Sequence, residues 1–573
     1  MNFLDDLNQV QKPGRYIGEE WNQVLKNWGL IDIKILISYP DIYEIGMSNQ
    51  GLKVIYELLN SKNDVLCERC FAPWSDFEQY LRQRNQVLFS LESKTPINKF
   101  DVVAFTLQHE LNYTNILTIL DLGGLQIWQR DRDEDHPLVI GGGPCTLNPE
   151  PVADFFDFFI VGDAEEVIHD VLDVVKQWKQ KRISRVRLLE LVSGNESVYV
   201  PSLYQLKQTK EGFMVPEVER KIKKSTVIDL DSALHPVNPI VPYIQTVHDR
   251  INLEVMRGCP KFCRFCQARV YYGPFRSRTA KNLIQIAKEN YKHTGYEEIC
   301  LSSLSTGDYP YLSELLNGLK QSFCDQNVFI SLPSLWVGKN IEDVLGGFLE
   351  TKRPALTFAP EVTSLRMKDI IGKNVEEEQL VKVVKFALDN GWKQVKLYYM
   401  LGLPGMKDED LIEMKRFLLH LLSLKTKRRI RLKLSFATFI PKPHTPFQWM
   451  DFESRENIEN QLYFVKKQLG SYKVDWSIRK YDFSLTEAIL SRGDRRLSCI
   501  IFEVWMKGGR FDSWEREFKS DLWYNAFESC GLNLDIYLKP KWCKDSVLPW
   551  EHIDAGISKD ELWKSYSVAK NKI

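Results

Sequence analysis

Apolar positions alternate between a strand period and a helix period through the first 180 residues. Residues 31–38, Ile-Asp-Ile-Lys-Ile-Leu-Ile-Ser, form a β-branched run ending at Tyr39-Pro40 and read as a buried strand. A helical pattern follows over 51–59. Further strands are expected over 101–107, 137–140 and 156–161, with helices over 113–122 and 165–179. Strands alternating with helices predict a parallel, doubly wound sheet. Gly141, Gly142, Gly143 and Gly162 follow strand ends, where such sheets take their ligands. Residues 181–245 break the pattern with short strand-like pieces (197–200, 212–215, 225–228), several prolines and a basic stretch over 220–224, and predict a β-rich connector. From residue 252 the alternation resumes six times. Strands are expected over 251–256, 298–304, 328–332, 355–359, 394–400 and 431–439, with helices over 279–293, 310–323, 340–350, 375–390, 407–424 and 454–469. Six such units fit an open, partial (β/α)6 barrel. The expected class is therefore α/β: a doubly wound domain over 1–180, the connector over 181–245, the partial barrel over 246–470 and a small mixed region over 471–573.

The chain has 573 residues, 44% hydrophobic and 27% charged, which suits several globular domains and excludes wholesale disorder. Lys+Arg and Asp+Glu are both 76, so the chain is not a generally basic nucleic-acid binder. Local patches stay open, the densest being Lys425, Lys427, Arg428, Arg429, Arg431 and Lys433, which also suits a solvated helix-to-strand connection. The first residues carry no basic and apolar leader, and no run of 18 apolar residues is present, so a cytoplasmic protein that does not span a membrane is expected. Eleven cysteines in that setting read as reduced thiols rather than a disulfide framework.

One cysteine cluster stands out. Cys259-Pro-Lys-Phe-Cys263-Arg-Phe-Cys266 sets three thiols within eight residues, directly after the first barrel strand. Thiolates select zinc or iron–sulfur clusters. A structural zinc site closes its tetrahedron with a fourth Cys or His; the nearest candidates in sequence are His248 and His293. Three thiolates on a four-iron cluster leave one iron open, as catalysis requires. Cys67-Glu-Arg-Cys70 is a lone C-x2-C without a thioredoxin-like context, and Cys499, Cys530 and Cys543 are widely spaced.

The C-x3-C-x2-C set, with Phe265 before its last cysteine, resembles the signature of the radical S-adenosylmethionine (radical SAM) superfamily. The resemblance implies that Cys259, Cys263 and Cys266 ligate a [4Fe–4S] cluster whose open iron binds SAM, and that reductive cleavage of SAM gives methionine and a 5′-deoxyadenosyl radical. It implies further roles at the other strand ends. Ser303, Ser305 and Thr306 lie where the superfamily's glycine-rich segment meets the SAM ammonium, with Ser and Thr replacing its glycine pair. Glu361 stands where ribose hydroxyls arrive. Arg366 is suited to the SAM carboxylate, or else to an ordinary ion pair, and Gly402 lets the backbone approach the adenine. The segment Ile440-Pro441-Lys442-Pro443-His444 is similar to the one closing methylthiotransferase barrels, with His444 either a substrate-side acid/base or a hydrogen-bonded loop residue.

The N-terminal region resembles the Rossmann-like cobalamin-binding domains that precede many radical SAM barrels. The resemblance rests on Tyr39-Pro40-Asp41, Gly46-Met47-Ser48, Gly141-Gly142-Gly143-Pro144, Asn148-Pro149-Glu150-Pro151 and Gly162-Asp163-Ala164-Glu165-Glu166. It lacks the Asp-x-His-x-x-Gly motif, with Tyr43 where the cobalt-ligating histidine stands. Cobalamin held without a protein ligand and a substrate-binding or structural domain both remain open. The C-terminal segments Glu487-Ala488, Ser491-Arg492-Gly493-Asp494-Arg495-Arg496, Phe511-Asp512-Ser513-Trp514 and Leu548-Pro549-Trp550-Glu551-His552-Ile553 belong to the same resemblance, which spans nearly the whole chain. It implies an enzyme acting by hydrogen abstraction, followed by methylation, thiolation or rearrangement, on an unnamed substrate, with a flavodoxin or ferredoxin as reductant. Two other classes are kept: a cobalamin-independent modifier of RNA or protein, and a non-catalytic iron–sulfur carrier. The polar and glycine-rich strand ends count against the carrier.

Overall fold

The computed structural model describes residues 7–332, 356–425, 431–470, 472 and 474–573. The N-terminal sheet holds β1 (Ile33–Tyr39), β2 (Val65–Phe71), β3 (Val102–Thr106), β4 (Leu138–Gly142), β5 (Phe158–Ile160) and β6 (Val198–Tyr199) in the order β2-β1-β3-β4-β5-β6. All neighbours are parallel except β6, which runs antiparallel to β5. The strand order reverses between β1 and β3, the switch point at which doubly wound sheets open a ligand crevice. β2 escapes the sequence pattern because Glu68 and Arg69 interrupt it, yet all seven of its residues are buried. Arg69, with no exposed side-chain surface, pairs with Glu92 at 2.6 Å and with Glu20, so the charges are matched inside the domain. Cys67 and Cys70 lie three residues apart on this strand and enter different hydrophobic cores. Opposite strand faces keep them from sharing one metal ion or one disulfide.

The connector is more mixed than its composition suggests. It contains the helix Arg185–Val192, the hairpin of β7 (Leu206–Gln208) and β8 (Met214–Pro216), and β9 (Ile222–Lys223). Residues 225–228, expected as strand-like, form no named strand; Ser225 makes only an isolated bridge to Gly162. The piece over 197–200 becomes the edge of the N-terminal sheet.

The barrel has two parallel sheets. One is β10 (Ile251–Glu254), β13 (Glu298–Ser302) and β14 (Phe329–Ser331); β11 (Met256–Arg257) and β12 (Arg276–Ser277) form a small ribbon beside it. The other is β15 (Leu356–Glu361), β16 (Gln394–Leu401), β17 (Arg431–Thr438) and β18 (Val474–Ile478). All six expected strands form, and β18 adds a seventh beyond residue 470. The expected helix over 340–350 lies outside the described residues. Alternate residues such as Leu253, Leu301, Leu397 and Leu434 pack outward into a core with the helices. Many intervening positions are polar, among them Asn252, Glu254, Lys396, Lys433 and Ser435, so these strands alternate between the packed face and the other.

The C-terminal region is built on the helices Tyr481–Arg492, Leu497–Met506, Ser520–Ser529 and Lys559–Lys570, and on β19 (Ile553–Asp554), which pairs with β9. It closes against the N-terminal domain. Arg495 Nε donates to Glu150 Oε2 at 2.9 Å, and Asn148 Nδ2 donates to the Ser491 and Gly493 carbonyls at 3.0 and 2.9 Å. Trp514 Nε1 donates to Asp41 Oδ1 at 2.8 Å. The Asn148–Pro151 and Ser491–Arg496 motifs thus find each other. One hydrophobic core contains residues of all three parts. Among the described residues no helix is long and apolar enough to cross a membrane.

Candidate active site

The three cysteines lie on the loop leaving the first barrel strand at its carboxyl end. Gly258 turns the chain into that loop at φ +85°, and a Cβ there would stand 2.5 Å from the Pro274 carbonyl oxygen, so only glycine fits. Cys266 N donates to the Cys263 carbonyl at 3.2 Å, and Cys266 caps the helix Gln267–Tyr271. The loop is pinned from two sides. Arg264 N donates to the Ile371 carbonyl at 2.8 Å, and Phe447 N, after the sixth strand, donates to the Arg264 carbonyl at 3.3 Å. Lys261 Nζ reaches Asp308 Oδ1 at 2.9 Å, joining the loop to the second strand's end.

All three thiols are half-buried. Burial pushes the Cys263 thiol up to about 12, against the attraction of Lys373, and burial raises Cys266 as well. A cationic centre is what holds such thiols as thiolates. A tetrahedral zinc ion with bonds of about 2.3 Å would hold sulfurs about 3.8 Å apart. Among the described residues the set of ligand atoms gathered within 4.8 Å is that of His109, Glu110 and Glu487, which does not include the three thiols.

At the second strand's end the hydroxyls largely serve the loop itself. Ser305 Oγ donates to Asp308 Oδ2 at 2.6 Å, Thr306 Oγ1 donates to the Leu301 carbonyl at 3.2 Å, and both residues are buried. Ser303 is half-buried and lines a cavity. Glu361 sits at the bulge ending β15 with φ +66°, strained for a side-chain-bearing residue, and accepts from Lys373 Nζ at 2.9 Å. Arg366 Nη2 is held by the Gly405 carbonyl at 2.6 Å and by Asp410, while its buried Nη1 has no partner. That orphaned donor fits a carboxylate. Gly402 packs against the helix Arg455–Leu469; its added Cβ would lie 3.1 Å from Glu453 and Ile458. Its small size therefore has a reason other than an adenine. Phe265 packs partly buried on the core shared by the three parts. His444 Nε2 hydrogen-bonds the Leu147 carbonyl at 3.0 Å, and burial holds the imidazole down at about 3. It is neutral and fixed, the hydrogen-bonded loop residue of the two readings.

The N-terminal domain opens a cavity of about 380 Å³ at the β1/β3 switch point, walled by Ile37, Val54, Ala104, Ile140 and Ile160. Its far wall is barrel: Met256, Arg257, Ser302 and Ser303, with Tyr271 and Tyr272 beside them. A Cβ on Gly142 would find nothing nearer than 4.0 Å, so this glycine leaves the cavity open. Gly141, Gly143 and Gly162 are held to glycine by the protein's own atoms, their Cβ positions lying 2.7, 2.8 and 2.3 Å from Phe159, Leu107 and Ser225. Among the described residues no histidine lines the cavity.

A family description, "Radical SAM superfamily", matches residues 253–418, and "Radical SAM proteins, N-terminal" matches residues 51–201. The chain is 30% identical over 508 residues, 88% of its length and 98% of the relative's, to the uncharacterized protein MJ0966 of Methanocaldococcus jannaschii. The chain belongs to the radical SAM superfamily. It is also 23% identical over 287 residues to the ribosomal protein uS12 methylthiotransferase RimO of Thermotoga maritima, covering 45% of this chain and 65% of that one. Among solved structures it resembles the radical S-adenosylmethionine methyltransferase TsrM of Kitasatospora setae with cobalamin and a [4Fe-4S] cluster bound, at 12% identity and a TM-score of 0.46 over 73% of this chain and 74% of that one. Radical SAM proteins are enzymes that use a [4Fe–4S] cluster and SAM.

Sequence reasoning missed a second feature of this radical SAM site. Lys442 Nζ bridges Glu110 Oε1 at 2.8 Å and Glu487 Oε1 at 3.0 Å, and Arg479 Nη1 meets Glu487 Oε2 at 2.8 Å. His109 Nε2 lies 3.3 Å from the same carboxylate, while its Nδ1 accepts from Leu111 N at 3.2 Å. Burial alone would push the Glu487 carboxyl up; Lys442, His109 and Arg479 overcome it and hold it well below the usual carboxylate range. The Lys442 ammonium stands between the two carboxylates, where a metal ion would otherwise be drawn. This network ties the loop after β3, the loop after β17 and the helix Tyr481–Arg492 together above the barrel. Its sequence signals are scattered: His109 after the second strand, Lys442 between Pro441 and Pro443, and Glu487 in the C-terminal resemblance, with nothing in one dimension to join them.

Proposed function

We propose that this radical SAM enzyme carries its [4Fe–4S] cluster on Cys259, Cys263 and Cys266 and abstracts hydrogen from a substrate held between the barrel and the N-terminal domain. The observation that carries the reading is the three-thiol loop at the carboxyl end of the first parallel strand, pinned to the fourth and sixth strand ends. The bound cluster and SAM supply reductive cleavage to methionine and a 5′-deoxyadenosyl radical. This chain's residues do the holding. The unpartnered Nη1 of Arg366 takes the SAM carboxylate, and Glu361, braced by Lys373, accepts from ribose hydroxyls. The test is anaerobic reconstitution followed by SAM and dithionite. About four irons per chain, by the cluster assignment, and 5′-deoxyadenosine in the products are expected; stoichiometric zinc, or SAM left intact, refutes it.

The cavity at the switch point favours a corrinoid as second cofactor. Its aliphatic walls suit the planar nucleotide tail of cobalamin, and Gly142 admits close approach. With no histidine in the lining, the residues fit a mode without a protein ligand to cobalt. An absorption spectrum after incubation with cobalamin reads this directly; a chain that retains none instead uses the domain to hold substrate.

A further inference from the structure

The helix Gln50–Asn60 stands between two cavities. Gln50, Gly51, Val54 and Ile55 wall the one at the switch point, and Leu52, Lys53, Tyr56, Glu57 and Asn60 wall a second, of about 190 Å³. At about 3.6 residues per turn these two sets occupy opposite faces of the helix. Val24, Met47, Pro239 and Ile240 join Leu52 and Tyr56 to give the second cavity apolar walls. Against them stands Lys53, half-buried, with no hydrogen bond or ion pair among the described residues. The charges around it are engaged elsewhere. Arg69 is spent on Glu20 and Glu92. Glu57, one turn along, accepts from Val237 N at 3.2 Å. Asp249 accepts from Thr246 N at 3.0 Å, and His248 Nδ1 lies 3.3 Å from Arg250 Nη2. The polar walls are occupied too: Tyr56 Oη accepts from Val24 N at 2.9 Å, and Asn60 bonds the Cys67 backbone at 2.9 and 3.0 Å. Burial pushes the Lys53 amine down to about 8, against the pull of Asp249 and with the push of Arg69. An unpaired ammonium beside apolar walls is costly, and an anion of the right size offsets that cost.

We propose that this second cavity binds a short aliphatic monocarboxylate, its carboxylate on the Lys53 ammonium and its hydrocarbon chain against Val24, Met47, Leu52 and Ile240. Size sets the length. A cavity of about 150 Å³ takes benzene. At about 190 Å³ the same packing admits roughly eight non-hydrogen atoms, the size of hexanoate. The walls set the rest of the chemistry. A phosphate would meet a single cation, since the neighbouring donors are already spent, and three of its oxygens would face carbon. A neutral chain would leave the ammonium unpaired. The ligand supplies a counter-ion, so it favours the charged amine, and binding above pH 7 draws a proton from solvent onto Lys53. No other bond forms or breaks. The site takes no part in the chemistry at the cysteine loop, and the inference does not rest on the radical SAM reading.

The experiment uses the full chain with hexanoate as probe, and hexan-1-ol and inorganic phosphate for comparison. Binding is read by titration calorimetry at pH 8 in two buffers of different ionisation enthalpy, which counts the protons taken up. Wild type should bind one hexanoate per chain with uptake of roughly half a proton, the neutral fraction at pH 8 of an amine held at about 8. At pH 6 the uptake should vanish. Lys53→Met should weaken hexanoate by about tenfold or more, as loss of a charge-assisted hydrogen bond does. Lys53→Arg should bind hexanoate with no uptake. Glu57, Asp249, His248 and Arg69 are all present in that variant, so an uptake surviving there comes from them and overturns the proposal. Wild type without saturable hexanoate binding overturns it, as does Lys53→Met binding as tightly as wild type. Hexan-1-ol binding as tightly as hexanoate makes the cavity merely apolar, and phosphate binding more tightly makes Lys53 a general anion site; either result overturns it. Should Lys53→Met fail to fold, hexanoate against hexan-1-ol on wild type decides alone. No readout uses SAM cleavage, so failure of the radical SAM reading and failure of this one are told apart.

Discussion

Lys442 is the most exacting place to perturb this molecule. Its ammonium makes two ion pairs, at 2.8 and 3.0 Å, with side chains only 9% and 8% exposed, and is itself 16% exposed. At an effective dielectric near 20, each contact at such a distance is an attraction of about 6 kcal/mol. Most of that offsets the cost of taking three charges out of water. Lys442→Met leaves Glu487 with Arg479 and His109 but strips Glu110 of its one cation among the described residues. Removing one partner of a buried pair costs about 3–5 kcal/mol. Glu110→Gln removes the charge that Lys442→Met would strand, so the double variant should recover about 1–3 kcal/mol relative to the sum of the singles. The assay is a urea-unfolding cycle on wild type, both singles and the double, followed by fluorescence. Acid adds a second reading. The Glu487 carboxyl lies below its usual value when folded, so its contribution is present above the unfolded pKa and is lost as pH falls through the folded one. With Lys442 gone that loss should begin at higher pH. Additive singles, or an unshifted acid limb, would refute the network as a structural clamp.

Two further outcomes are expected at the cofactor sites. Glu361→Ala and Arg366→Ala should each weaken SAM binding, measured by calorimetry on the reconstituted protein, by roughly 10–150-fold, the loss of about 1.5–3 kcal/mol for a charge-assisted hydrogen bond; iron content should not change, and unaltered affinity in both would place SAM elsewhere. Paramagnetic resonance of cob(II)alamin-loaded protein should show no nitrogen splitting from a protein imidazole, because both His109 nitrogens are engaged by Leu111 and Glu487; a splitting lost in His109→Ala would falsify the histidine-free mode.

The strands legible in the sequence are those whose apolar residues recur at a strand period. Ile33–Tyr39 and Leu138–Gly142 announce themselves by dense aliphatic runs, and the barrel strands by apolar residues at every second position, as in Val395, Leu397 and Tyr399 or Leu432, Leu434 and Phe436. β2 and β18 do not, for opposite reasons. β2 buries Glu68 and Arg69, and only the distant Glu20 and Glu92 make that burial tolerable for Arg69, a match that a local window cannot contain. β18 is half-buried throughout, since it closes the sheet's open edge, and its Val-Asp-Trp-Ser-Ile pattern carries little contrast.

The site divides along the same line. Three cysteines in eight residues are a local pattern, and local patterns survive translation into one dimension. Glu110, Lys442 and Glu487 are separated by 332 and 45 residues in sequence and mean nothing until the chain has folded. The glycines show how a local pattern also over-reads. A run of three after a strand suggests a ligand cradle, yet Gly141 and Gly143 are held to glycine by Phe159 and Leu107, and only Gly142 leaves open space. The same motif therefore serves packing and binding at once, and only the direction of each missing Cβ separates the two. Asn148 and Glu150 teach the converse. They lie near those glycines and resemble part of a cofactor domain, but their side chains are spent on Ser491, Gly493 and Arg495. That contact ties the C-terminal segment to the N-terminal domain, and the core that all three parts share joins both to the barrel. On the proposed reading, in which a corrinoid fills the switch-point cavity, a radical and that second cofactor act on one substrate only while this packing holds the two sites in place.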